Sequence, residues 1–150
     1  MKKIILSLLA LILIVFSCGC GEDVKIDMKE FCKDMKNDVR FAAPVEEAYI
    51  NVAKMHFNVP EETEFYVYYG SSTYPDCFCI FKAAKEEDKE AIYEAIDAKK
   101  NSLITTYESY APEEVDKINA CFLEEHGDYV IFAISSDRNG IKEVMKKYFG

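Results

Sequence analysis

The stretch from Asp76 to Tyr110 constrains the fold most, because it joins an apolar strand to one long helix. Cys77, Phe78, Cys79, Ile80 and Phe81 put apolar side chains on both faces of a period-two strand running on to Ala83. Such a run belongs to the middle of a sheet rather than to a wetted edge. Glu86, Glu87 and Asp88 follow, and acids suit the first turn of a helix, where unpaired N–H groups carry partial positive charge. Ile92, Ile96, Lys99, Leu103, Tyr107 and Tyr110 then recur at helical spacing. Lys99 interrupts the stripe, and its stem is expected to lie along apolar surface with the ammonium in water. A rod of about 36 Å results at helical rise, enough to serve as the main packing partner of a single sheet.

The chain opens differently. Lys2 and Lys3 precede an apolar run from Ile4 to Phe16 that is broken only by Ser7 and ends in Ser17, Cys18, Gly19, Cys20 and Gly21. A charged start, a short apolar core and small residues describe a secretory signal, too short to span a membrane comfortably. The cysteine after that core resembles the lipobox of bacterial lipoproteins, in which such a cysteine receives a diacylglycerol and the leader is cut before it. Cys18, with Val15 three residues back and Ser17 just before it, is the preferred acceptor. Cys20, behind Gly19, is the alternative. The expected organisation is a lipoprotein signal peptide over 1–17, a tether over 18–25 and one domain over 26–150. Its expected address is the extracytoplasmic face of the cell membrane, held there by an N-terminal lipid of the palmitate type.

Composition excludes one class of partner. Loss of the leader removes Lys2 and Lys3, so 16 basic residues face 27 acidic ones, a net charge of −11. Phosphate backbones and anionic headgroups are repelled by such a surface, which excludes nucleic-acid binding. Half of the residues are apolar, so the chain can bury a proper core.

Along the domain, Asp27 as N-cap with Glu30 three residues on signs a first helix, with Met28, Phe31, Cys32, Met35 and Val39 on its apolar face and Ile26 stapled to Phe31. A second helix is expected from Pro44 to His56. Glu64 to Tyr69 reads as a strand with tyrosines at alternating positions, and a loop from Gly70 to Pro75 leads into the central strand. Pro112 opens a short helical turn. Cys121 to Glu125 and Tyr129 to Ser135 flank Gly127 and Asp128 as a hairpin, and a last helix runs from about Asp137 to Phe149. The expected fold is α+β: a four-stranded, mainly antiparallel sheet in a ββαββα arrangement, two N-terminal helices before it and the helices packed on the sheet. The segments Asp76–Phe81 and Asp128–Ala133 hold corresponding places, so the order reads as two ββα units.

Tyr110, Ala111, Pro112, Glu113 and Glu114, then Gly127, Asp128, Tyr129 and Val130, then Ser135, Ser136 and Asp137 together carry a resemblance. The chain resembles, over about residues 46–149, a family of small lipoproteins from Gram-positive bacteria classed as a domain of unknown function. That resemblance implies an envelope address and a shape, not a reaction. In the family a glutamate often stands just before the central strand; Asp76 and Cys77 occupy that region here.

Few residues point to chemistry. Cys77 and Cys79 share one strand face, and with Cys32 or Cys121 could bind a soft metal. The knuckle turn of structural zinc sites is missing, and small buried hydrophobes are the more ordinary reading. Parallel side chains on one strand exclude a Cys77–Cys79 disulfide, whereas either residue could pair with Cys121 across the sheet. His56 and His126 lie outside any recognisable motif for nucleophilic, metal or phosphate chemistry. No metal or other cofactor is expected. Tyr66 and Tyr68 on one strand face, with Tyr74 in the adjoining loop, are the candidate surface for an envelope protein or glycan; packing beneath a helix is the alternative. The leading expectation is a binding or accessory module, and an anchored envelope hydrolase without a recognisable motif is the alternative.

Overall fold

The structure is a computed structural model, and it describes residues 24–150. The leader, Cys18, Cys20 and most of the tether lie outside the described residues. Among the described residues no helix is long and apolar enough to cross a membrane.

Helix α1 spans Met28–Asp38, and the Asp27 carboxylate accepts from Lys29 N–H at 2.9 Å and Glu30 N–H at 3.2 Å, as an N-cap should. A short strand β1, Glu46–Glu47, and a short helix α2, Ile50–His56, replace the expected helix from Pro44. The correction has a local cause: Ala48 N–H donates to Val67 O at 2.8 Å, so the chain here is recruited to the edge of the next strand. Strands β2 (Glu64–Tyr69) and β3 (Cys77–Lys82) follow, then helix α3 (Asp88–Tyr110), a 3-10 turn Pro112–Glu114 and helix α4 (Val115–Asn119). Strands β4 (Phe122–His126) and β5 (Tyr129–Ile134) precede the last helix, α5 (Arg138–Phe149). The β4–β5 turn rests on Gly127, whose φ of 57° is a left-handed value that glycine adopts without penalty.

All pairings are antiparallel, in the order β1-β2-β3-β5-β4, so the sheet has five strands rather than four. The fifth, β1, is two residues long and carries no period-two pattern. At the centre, β3 and β5 are buried along almost their whole length. Phe78, Ile80 and Ile131 face α1 and α5, whereas Cys79, Phe81 and Phe132 face α2, α3 and α4. Helices therefore cover both faces, and the sheet is the middle of three layers. On α3 the stripe of Ile92, Ile96 and Tyr107 is buried, but Tyr110 is 62% exposed, since the helix has by then run past the sheet.

Candidate functional site: a cleft around Lys99

One buried and one largely buried lysine, Lys89 and Lys117, follow the ordinary rule that a desolvated ammonium takes carboxylate partners. Lys89 Nζ lies 2.6 Å from Glu86 and 2.9 Å from Glu125. Lys117 Nζ lies 2.5 Å from both Asp76 and Glu114, and these carboxylates outweigh burial to raise its pKa. Both Asp76 oxygens are engaged, because the other accepts from Ala42 N–H at 2.9 Å. It ties the start of β3 to α4 and to the loop after α1.

Lys99 breaks the rule. It sits mid-way along α3, partly buried, and no carboxylate among the described residues pairs with it. Its Nζ lies 5.1 Å above the centroid of the Tyr69 ring and 3.5 Å from His56 Nδ1. That His56 nitrogen lies 2.7 Å from the Tyr69 hydroxyl, so the tyrosine can donate to it when the ring is neutral. Burial lowers the pKa of Lys99, against the opposing pull of the Cys77 and Cys79 thiols. Burial and the Lys99 charge lower that of His56, and burial raises the Tyr69 hydroxyl. The trio comes from the end of α2, the end of β2 and the middle of α3.

These groups border a cleft of about 360 Å³ between α3 and the loop joining β2 to β3, with Leu103, Tyr74 and Tyr107 among its walls. The size suits a small ligand. Cys77 also reaches the cleft, but burial pushes its thiol up to about 12, so it is not an activated nucleophile.

The tyrosine surface expected from the sequence is divided. Tyr66 and Tyr68 lie half-buried against the layer of α1 and α5. The Tyr68 ring stacks on Phe78 at 4.5 Å, and its hydroxyl donates to Glu47 at 3.3 Å. Tyr74, 39% exposed, sits across the sheet at the Lys99 cleft, with Lys117 Nζ 5.6 Å from its ring centroid. An open tyrosine patch required helices on one face of the sheet only, and α1 and α5 cover the face that carries Tyr66 and Tyr68. Cys32, Cys77, Cys79 and Cys121 are free thiols, so Cys121 pairs with neither strand cysteine. Among the described residues no three His, Cys, Asp or Glu side chains converge to hold a metal.

No curated protein and no solved structure matches the chain. A family model does, the Domain of unknown function DUF4358, over residues 56–135. The matched segment is more than half of the chain, starts at His56 and contains Tyr69 and Lys99, so the protein belongs to the DUF4358 family.

Proposed function

We propose that this protein is a lipid-anchored, extracytoplasmic binding module that holds a small ligand with an anionic group in the Lys99 cleft. The unpaired ammonium of Lys99 carries the reading. In a chain with 27 acidic residues, the absence of a partner is not for want of carboxylates. A desolvated cation left open to a cleft is an anion subsite, and the aromatic and aliphatic walls suit an apolar body behind the charge. Cys77, whose thiol burial pushes up, is not an activated nucleophile, which supports binding over the alternative of an envelope hydrolase. The leader and its cysteines support anchoring, and the expected lipid acceptor is Cys18, with Cys20 the alternative.

Two experiments test the two halves. Cys18→Ser with Cys20 kept should release the protein from the membrane fraction and abolish fatty-acid labelling, because stable attachment needs more than one acyl chain. Undiminished labelling moves the acceptor to Cys20. For the cleft, phenyl phosphate should shift the backbone resonances of Tyr69 and Lys99, and neutral phenol should not. Lys99→Met should lose that response while keeping or raising thermal stability, since it removes a desolvated charge. A fall in stability with phosphate binding retained would make Lys99 a structural residue.

A further inference from the structure

The edge of β2 is only half covered. β1 pairs with Tyr68 and Tyr69 and goes no further, and Ala48 N–H then reaches back to Val67 O. Alternation along an antiparallel ladder fixes where the remaining groups point. Gly70 N–H donates to Asp76 O, so even-numbered residues of β2 bond to β3, whereas Val67 and Tyr69 turn to β1. Phe65 must therefore direct its N–H and C=O away from β3, beyond the point where β1 ends. Neither group has a backbone partner among the described residues.

A groove of about 490 Å³ lies along this edge, walled on the far side by Ile50, Ala53 and Lys54 of α2. Glu64 to Val67 line its floor, and with Val67 already bonded to Ala48 the open stretch is Glu64 to Tyr66, about 10 Å of edge, enough for roughly three residues of an added strand. Three carboxylates reach the groove, from Glu47, Glu61 and Glu64, against the one ammonium of Lys54. Neither Glu61 nor Glu64 is engaged in an ion pair among the described residues.

We propose that this edge takes an extended, lysine- or arginine-bearing peptide segment of a partner protein as an added strand beside Phe65. Main-chain hydrogen bonds to Phe65 hold the segment, and the groove acids select its charge. Open strand edges are commonly blocked by charge or a bulge; here three carboxylates outweigh the one ammonium of Lys54, so a basic strand is not turned away. A second copy of this chain is disfavoured, because antiparallel pairing of β2 with β2 about Phe65 would bring the two Glu64 carboxylates close together.

The test uses the full chain in detergent with the probe peptide acetyl-Lys-Val-Lys-Val-Lys-Val-amide. Amide exchange at Phe65 should slow by about tenfold or more at saturation. The Glu-Val counterpart, and a Lys-Val peptide N-methylated at alternate residues, should leave it unchanged. Glu61→Gln with Glu64→Gln should weaken binding about threefold to tenfold, the range for two exposed ion pairs, with the melting curve unaltered. Equal binding of the acidic peptide, or of the N-methylated one, overturns the proposal, as does unchanged exchange at Phe65. Protection that appears without peptide, in step with a doubled mass, assigns the edge to a second copy instead.

Discussion

Asp137 shows how much one side chain can organise. Its carboxylate accepts from Gly140 N–H at 3.1 Å as the cap of α5, and from Arg40 N–H at 3.0 Å and Arg40 Nε at 3.2 Å across the fold. The Arg40 and Gly140 N–H groups, then the guanidinium, hold its pKa below the ordinary 3.8. A depressed carboxylate adds stability that is fully present above pH 3.8 and is lost as pH falls through the folded value. Asp137→Asn should therefore lower the melting temperature at pH 7 and flatten the acid limb, the two curves converging only once pH has fallen below the depressed folded value. Parallel curves would mean that the charge contributes nothing. Gly140 belongs to the same device, for a Cβ there would stand 2.7 Å from Asp137 Oδ2. Helix propensity alone favours Gly140→Ala by about 1 kcal/mol, yet the displaced cap makes a net loss of about 1 kcal/mol the expected outcome in a denaturant titration. A gain in stability would show that the carboxylate turns aside freely.

At the scale of elements, α3 carries the clearest test. Ile96 is buried at the centre of its stripe, and Ile96→Ala should cost about 2–5 kcal/mol by opening a cavity over the sheet. Tyr110→Ala, at the far end of the same stripe, should cost under about 0.5 kcal/mol. Equal costs at the two sites would mean that the stripe does not bear on the core. The strands β2 to β5 and the helices α1, α3 and α5 were legible because each carries its own local signal: a period of two, an apolar stripe at helical spacing, a capping aspartate or a Gly-Asp turn. The strand β1 was not, since a two-residue edge strand is defined by its partner and has no pattern of its own. The Lys99 cleft was hidden for a related reason. His56, Tyr69 and Lys99 are far apart in sequence, and only the crossing of α3 over the ends of α2 and β2 unites them. The one local sign was a lysine inside an apolar stripe, which the sequence equally allows to reach water.

The molecule as a whole is not the doubled ββα unit that its sequence order suggests. Neighbours β3 and β5 are antiparallel, and the twofold rotation that exchanges such strands stands perpendicular to the sheet and leaves each face where it was. It would place α3 and α5 on one face, whereas Ile92 and Ile96 of α3 pack on one side and Ile141 and Val144 of α5 on the other. The layer containing α5 is closed by α1, from the opposite end of the chain. Phe31 meets Tyr148 and Phe149 edge-on at 5.3 and 6.0 Å, and Asp34 accepts from the Tyr148 hydroxyl at 2.6 Å and pairs with Lys147. Both helices lie outside residues 56–135, the segment that defines the family match. That segment alone would carry its sheet with Phe78, Ile80, Tyr129 and Ile131 uncovered, all of them at most 1% exposed in the whole chain. An apolar face of this kind does not stay monomeric in water. The expected result is that a 56–135 fragment shows no cooperative melt and binds a hydrophobic dye, and that a 26–150 fragment melts sharply. Deleting α1 alone, or α5 alone, should resemble the short fragment, because neither helix covers the face by itself. A sharp melt from the 56–135 fragment would show that the α1–α5 layer is an addition to a self-sufficient core.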